Sequence, residues 1–323
     1  MKPPPGFSRR QFLGGVGSFA LASAFPVPSL KALAPLYPSM DLSYFETPIG
    51  HRSGEIHFGY AAITWGGNDS EAINDVSSLG FPGIQLRSNI VTGFAQKPSA
   101  LRELLQQHNL TLVALSSGDL SIENDESAEL ARHTSNAKFL RDARGSYLQV
   151  ICSRPKRAIS GDDYKRLSRL LTELGKRTTD FGISLGYHNH MNSLVQHPDE
   201  LQRVYDGVDP RYAKLELDIA HYFAAKGDPA GAIEKYHEAL LFLHIKDVQM
   251  AAPGSAPMKD GYQFVELGRG EVDLPAVFAA LKKVAFRGWA VVELDSVPPG
   301  GGSPKESAAI SKKYLEEKLG YAI

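Results

Sequence analysis

Eight short apolar runs, each followed by a helix-like stretch, constrain this chain more than any other feature. They are IHFGYAAI (56–63), GIQLRS (83–88), LTLVALSS (110–117), YLQVICS (147–153), ISLGYHNH (183–190), AKLELDIA (213–220), LLFLHIKD (240–247) and WAVVELD (289–295). Their lengths, their periodicity and their bounding turn residues predict strands. Between them, DDYKRLSRLLTELGKRTTDFG repeats its apolar residues at three- and four-residue spacing and stops at Gly182, as an amphipathic helix does. VDLPAVFAALKKVAF has Asp273 as a cap and Pro275 in its first turn, and it ends near Gly288, so it also predicts a helix. Such alternation over about 265 residues predicts an α/β fold closed as a (β/α)8 barrel, whose usual length is about 250 residues. An open doubly wound sheet is the competing architecture. No G-x-G-x-x-G turn follows the first run, however, so dinucleotide binding lacks its signature. Residues 248–272, after the seventh run, are longer than ordinary βα loops and predict a lid or binding loop.

With 323 residues and 43% apolar content, the chain can bury a full core. A formal net charge of -1 and the lack of a long basic run remove the electrostatic footprint of phosphate-backbone binding, so nucleic acid is not an expected partner. Cys152 is the only cysteine, which leaves no intrachain disulfide and no zinc-thiolate cluster; any metal must be held by nitrogen and oxygen. At the N-terminus, Arg9 and Arg10 precede the weakly apolar QFLGGVGSFALASAF, and Ala32 and Ala34 fit a small-residue cleavage signal. Residues 1–34 therefore resemble a twin-arginine export signal, with 35–54 as connector and 55–323 as barrel. The expected location is periplasmic or otherwise extracytoplasmic, with membrane contact only during export; an uncleaved anchor is the alternative.

In a barrel, each strand delivers its C-terminal residues to one face, where active sites sit. The last four runs end in same-face i, i+2 pairs: His188 and His190, Glu216 and Asp218, His244 and Lys246, Glu293 and Asp295. One such pair is easily a hydrogen-bonded buried layer. Four at the same level would cost several kcal/mol per charge without a positive centre, and a divalent cation would offset that cost.

YHNH, LELDIAH, LHIKDV, GRGEVDLPAVFAALKKVAFRGWAVVELD and the early ITWGGND together resemble the sugar-phosphate isomerase/epimerase superfamily of xylose isomerase-like TIM barrels. The resemblance spans nearly all of residues 56–320 and implies four metal ligands from strands five to eight. By position these are His188, Asp218, His244 and Glu293. Two imidazoles and two carboxylates suit Mn, Fe, Co, Ni or Zn. Epimerases of the superfamily usually carry a glutamate where this chain has His188, and they use two glutamates on opposite faces of the sugar as acid and base. The similar dehydratases place a catalytic histidine where this chain has His221.

His190 faces the substrate beside the metal or serves as a core histidine. Lys246 stabilises an oxyanion or pairs with Asp247, and Glu216, one layer lower, is expected to be structural. Trp65 stacks on a sugar ring or packs in the core, while Lys259, Phe264 and Arg269 lie on the long loop that either closes over ligand or stays solvated. Cys152 is expected to be inert filling. The main functional expectation is an isomerase or epimerase that acts on an unphosphorylated sugar or oxo-sugar through a metal-stabilised enediolate. The alternatives are a lyase or dehydratase that expels a β-leaving group from a 3-oxo-glycoside or inosose-like compound, and a non-catalytic sugar-binding barrel. A homo-oligomer is compatible with all three.

Overall fold

The eight expected strands all form and pair in parallel, each with its sequence neighbour and the last with the first. The structure, a computed structural model, describes residues 56–251, 258 and 260–323. The signal-like segment, the connector and Lys259 lie outside the described residues.

The barrel strands are β1 (Ile56–Ala61), β2 (Gly83–Arg87), β3 (Thr111–Asp119), β4 (Tyr147–Ile151), β5 (Ser184–His188), β6 (Ala213–Asp218), β7 (Leu240–Ile245) and β10 (Gly288–Val292). They close in the order β1-β10-β7-β6-β5-β4-β3-β2. Around them run α1 (Asp69–Ser78), α2 (Asn89–Phe94), α3 (Pro98–Gln107), α4 (Glu126–Asp142), α5 (Gly161–Thr179), α6 (Pro198–Tyr205), α7 (Ile219–Ala224), α8 (Pro229–Tyr236), α9 (Leu274–Lys283) and α10 (Pro304–Glu317). Several of their starts are set by side-chain caps. Asp273 accepts from Ala276 N–H ahead of α9, with a proline in the first turn, and Ser303 forms a capping box with Glu306 ahead of α10. Each such cap satisfies an amide the helix itself cannot use.

The N-terminal end of the barrel is filled by rings. Tyr147 stacks on Phe242 with centroids 5.1 Å apart, and the Trp289 ring lies 2.4 Å from where a Cβ at Gly83 would be. Glycine is thus required at position 83, because a large ring and a neighbouring Cβ cannot share that volume. With this end plugged, the polar pairs gather at the opposite mouth.

Between β7 and α9 the expected open loop is replaced in part by an antiparallel hairpin, β8 (Asp247–Met250) with β9 (Tyr262–Val265). The buried Asp247 carboxylate secures its base, accepting from the backbone N–H of Val248, Gly268, Gly270 and Val272 at 2.9–3.1 Å. A carboxylate at a strand end can in this way supply the acceptors that an irregular segment lacks.

Candidate metal centre

Four strand ends converge. One potential ligand atom from each of His188, Asp218, His244 and Glu293 lies within 4.8 Å of the others, and all four residues are buried. Strand pairing explains the level: His188 is opposite Glu216, Asp218 opposite His244, and His244 opposite Val291, two residues before Glu293.

Local chemistry aims each group. Asp218 ends β6 and caps α7, its Oδ1 accepting from Ala220 and His221 N–H at 2.9 and 2.8 Å, which leaves Oδ2 for the cluster. The Asn189 amide replaces a missing strand ladder: its Nδ2 donates to Asp218 O at 3.0 Å, and its Oδ1 accepts from Asp218 N–H at 2.9 Å. Asn189 therefore locks the end of β5 to β6, with the histidines on either side of it. Replacing Asn189 with Leu leaves two buried backbone groups of Asp218 unpaired, an expected loss of about 2–4 kcal/mol of stability. Denaturant unfolding of the variant measures it.

The set fits a divalent cation. Among the described residues, Asp218 Oδ2 and His244 Nδ1 are buried without a well-aligned hydrogen-bond partner. His244 Nε2 lies 2.9 Å from Gln85 Oε1, an atom that can only accept, so Nε2 carries the ring proton. Nδ1 then turns a lone pair toward Glu293 Oε2 at 2.9 Å and Asp218 Oδ2 at 3.6 Å. Three acceptors meeting in a dry site favour positive charge between them, and the Lys246 ammonium reaches the two carboxylates but leaves His244 Nδ1 for a cation. The same demand shows in His244 itself: burial alone would lower its pKa, but Glu216 and Glu293 outweigh it and raise it well above the usual imidazole value. Two nitrogens and two carboxylates suit a first-row divalent metal or zinc.

Lys246 borders this set. Its ammonium lies 2.5 Å from Glu293 Oε2, 3.1 Å from Asp218 Oδ2 and 3.0 Å from Asp295 Oδ1. Burial opposes its charge, yet Asp218, Asp295 and Glu293 prevail and hold its pKa well above normal. Conversely, burial sets against ionisation at Asp218 and Glu293, but Lys246 acting on the first, and His244 and Lys246 acting on the second, push both carboxyls well below their ordinary range.

His190 and His221 are paired rings with centroids 3.8 Å apart, and Met191 sets their tautomers. His190 Nδ1 donates to Met191 O at 2.5 Å, so its Nε2 keeps a lone pair. His221 Nδ1 accepts from Met191 N–H at 3.2 Å, so its Nε2 bears the proton. Burial lowers both pKa values, further depressed by His188 and Lys246 at His190, and by Lys246 and His190 at His221. Both rings are therefore neutral. His188, His190 and His221 also come within metal-ligand distance of one another, but His221 Nδ1 is taken by an amide and its Nε2 lies 3.3 Å from the Lys246 ammonium. That second grouping suits proton handling better than a cation.

Of the loop residues, Phe264 reaches the site: its ring lies 4.6 Å from that of His221 and 4.7 Å from Lys246 Nζ. Arg269 instead pairs with Glu266 at 3.0 Å, whose other oxygen accepts from Ser307 on α10, so it ties the hairpin region to α10 rather than reaching the cluster. Trp65 is buried, edge-on to Tyr60, with its indole N–H given to Asp75 at 3.0 Å. Of the two roles the sequence left open, this is packing in the core. Cys152 is fully buried, and burial raises its pKa to about 12, as inert filling requires. Gln85 and Asn189 were not anticipated. The only sequence signal for Gln85 was a lone polar residue in an apolar run, and Asn189 stood unmarked between the two histidines.

A closed parallel barrel with acids, imidazoles and a lysine gathered at its C-terminal mouth defines a (β/α)8 enzyme with a candidate divalent-metal centre. The chain belongs to the xylose isomerase-like TIM barrel family, which matches residues 73–317. Among its relatives is an inosose dehydratase of Bacillus velezensis, 25% identical over 301 residues, covering 86% of this chain and 97% of the relative. Among solved structures, the IolI protein with a bound zinc atom superimposes with a TM-score of 0.69 at 18% identity, covering 83% of this chain and 100% of that one. A probable 3-DHS dehydratase, AsbF of Bacillus anthracis, gives 0.67 at 15% identity, covering 80% and 98%. At these identities the two structures bear on the fold.

Proposed function

We propose that the chain is a divalent-metal-dependent carbon–oxygen lyase that removes water from an unphosphorylated cyclic oxo-polyol of the inosose type, beside its carbonyl. The observation that carries this is the grouping of the proton-handling side chains. His190 and His221 stack at 3.8 Å with opposite tautomers, and Lys246 Nζ is 3.3 Å from His221 Nε2. An epimerase needs donors on both faces of its substrate, whereas an elimination can be run from one. The inosose dehydratase relative, matched over nearly its whole length, supports the same class.

A cation held by His188, Asp218, His244 and Glu293 would supply Lewis-acid polarisation of the substrate carbonyl and its neighbouring hydroxyl. The protein's own groups move the protons. His190, with Nε2 free, takes the proton from the carbon next to the carbonyl and returns it to the β-hydroxyl as the C–O bond breaks, while His221 steadies the departing oxygen with a hydrogen bond from its Nε2–H. One C=C forms and one water leaves. The Lys246 ammonium, fixed by three carboxylates, holds its positive charge close to where negative charge develops on oxygen. Phe264 covers Lys246 and His221 with an apolar ring, excluding water and offering a face to the C–H side of a polyol. The twin-arginine-like start supports an extracytoplasmic setting, which favours an unphosphorylated substrate.

Incubation with inososes, 3-oxo-glycosides and free ketoses tests this. The expected product is an unsaturated ketone with new ultraviolet absorbance, formed only with bound metal. A saturated isomer or epimer as the sole product would favour isomerisation, and sugar binding without turnover would favour a binding barrel.

A further inference from the structure

We infer that Glu216 is a positioning residue that serves both imidazoles of the metal set at once, a role that rests on the four-residue metal site described above. Glu216 lies on β6, two residues before Asp218 and fully buried. Its Oε1 is 2.7 Å from His244 Nε2 and 3.6 Å from His188 Nδ1. Among the described residues neither of its oxygens has a well-aligned hydrogen bond, and the two imidazoles are the groups that face it. A buried carboxylate without partners is costly, and its retention here is explained if it stands behind two ligands and faces the ring nitrogens that do not ligate.

The geometry assigns the ligating atoms. The proton on His244 Nε2 is aligned on Gln85 Oε1 at 2.9 Å and flanked by Glu216 Oε1, so His244 ligates through Nδ1. His188 turns Nδ1 toward Glu216, so it ligates through Nε2. Gly186, one pleat before His188, makes the approach possible, since a Cβ there would meet Phe242 at 3.1 Å and the Glu216 Cβ at 3.4 Å. A hydrogen-bonded carboxylate behind a ligating imidazole fixes the ring and strengthens it as a donor, and such partners are typically worth about 10–100-fold in metal affinity. Here one carboxylate would do so for two rings.

The test uses cobalt(II) with the full-length protein. Glu216→Gln keeps shape and packing but removes the shared charge, and it is expected to bind cobalt(II) about 10–100-fold more weakly in chelator competition, with altered visible absorption and an unchanged metal-free fold. In cobalt-loaded wild type, proton NMR should show two hyperfine-shifted imidazole N–H signals in slow exchange with water, a readout that needs no variant. Unchanged affinity in Glu216→Gln, or fewer than two such signals, overturns the inference while leaving the metal site standing. Complete loss of cobalt binding by a folded Glu216→Gln would make Glu216 a direct ligand and overturn it as well. Failure of the wild type to bind cobalt would remove the metal site and this inference together.

Discussion

Replacing Asp218 with Asn is expected to lower kcat/KM by at least about a thousandfold and to release the divalent ion during purification. Two jobs meet in this carboxylate. Oδ1 caps α7 through two amides, while Oδ2 is buried among His244, Lys246 and the remaining ligands. Asn keeps a cap oxygen, so the helix start survives, but it turns a neutral amide toward the cluster. The loss then falls on the site rather than the fold. Lewis-acid stabilisation is worth several kcal/mol, and each 1.36 kcal/mol is tenfold in rate, which gives the stated size. Metal analysis and steady-state kinetics on the variant check both halves.

The second large effect is expected at the paired histidines. His190→Gln and His221→Gln should each lower kcat by about 10²–10⁴-fold, the usual reach of general acid–base catalysis, while metal content stays at the wild-type level. The separation arises because neither ring belongs to the four-residue set, yet both are buried beside it and tied through Met191. A metal-free His221→Gln protein would place His221 among the ligands and contradict the assignment.

Much of this was legible before the structure. Alternating strand and helix signals fixed eight staves, and a period of two at the strand ends put His188, Asp218, His244 and Glu293 on the inward face, where the structure gathers them. Boundaries were less legible. β6 stops at Asp218 rather than at Ala220 because the carboxylate leaves the ladder to cap a short helix, a choice made by side-chain hydrogen bonding and not by apolar pattern. The hairpin inside the long loop was hidden for a similar reason, since its base depends on Asp247 and Gly270 meeting across 23 residues. Trp65 could not be placed at all from sequence. An indole at a strand end reads alike whether it packs or stacks, and only the bond to Asp75 on α1 decides. Glu216 was expected to be structural, and its contact with two imidazoles depends on the β5–β6–β7 register, which no single run reveals.

The most direct measurement is X-ray absorption, combined with elemental analysis, on the purified protein. One divalent ion per chain, bound by two imidazole nitrogens and two carboxylate groups and absent from Asp218→Asn, is the predicted result. A chain that carries no ion when saturated with manganese, cobalt or zinc, or an ion whose shell contains no imidazole, would contradict it.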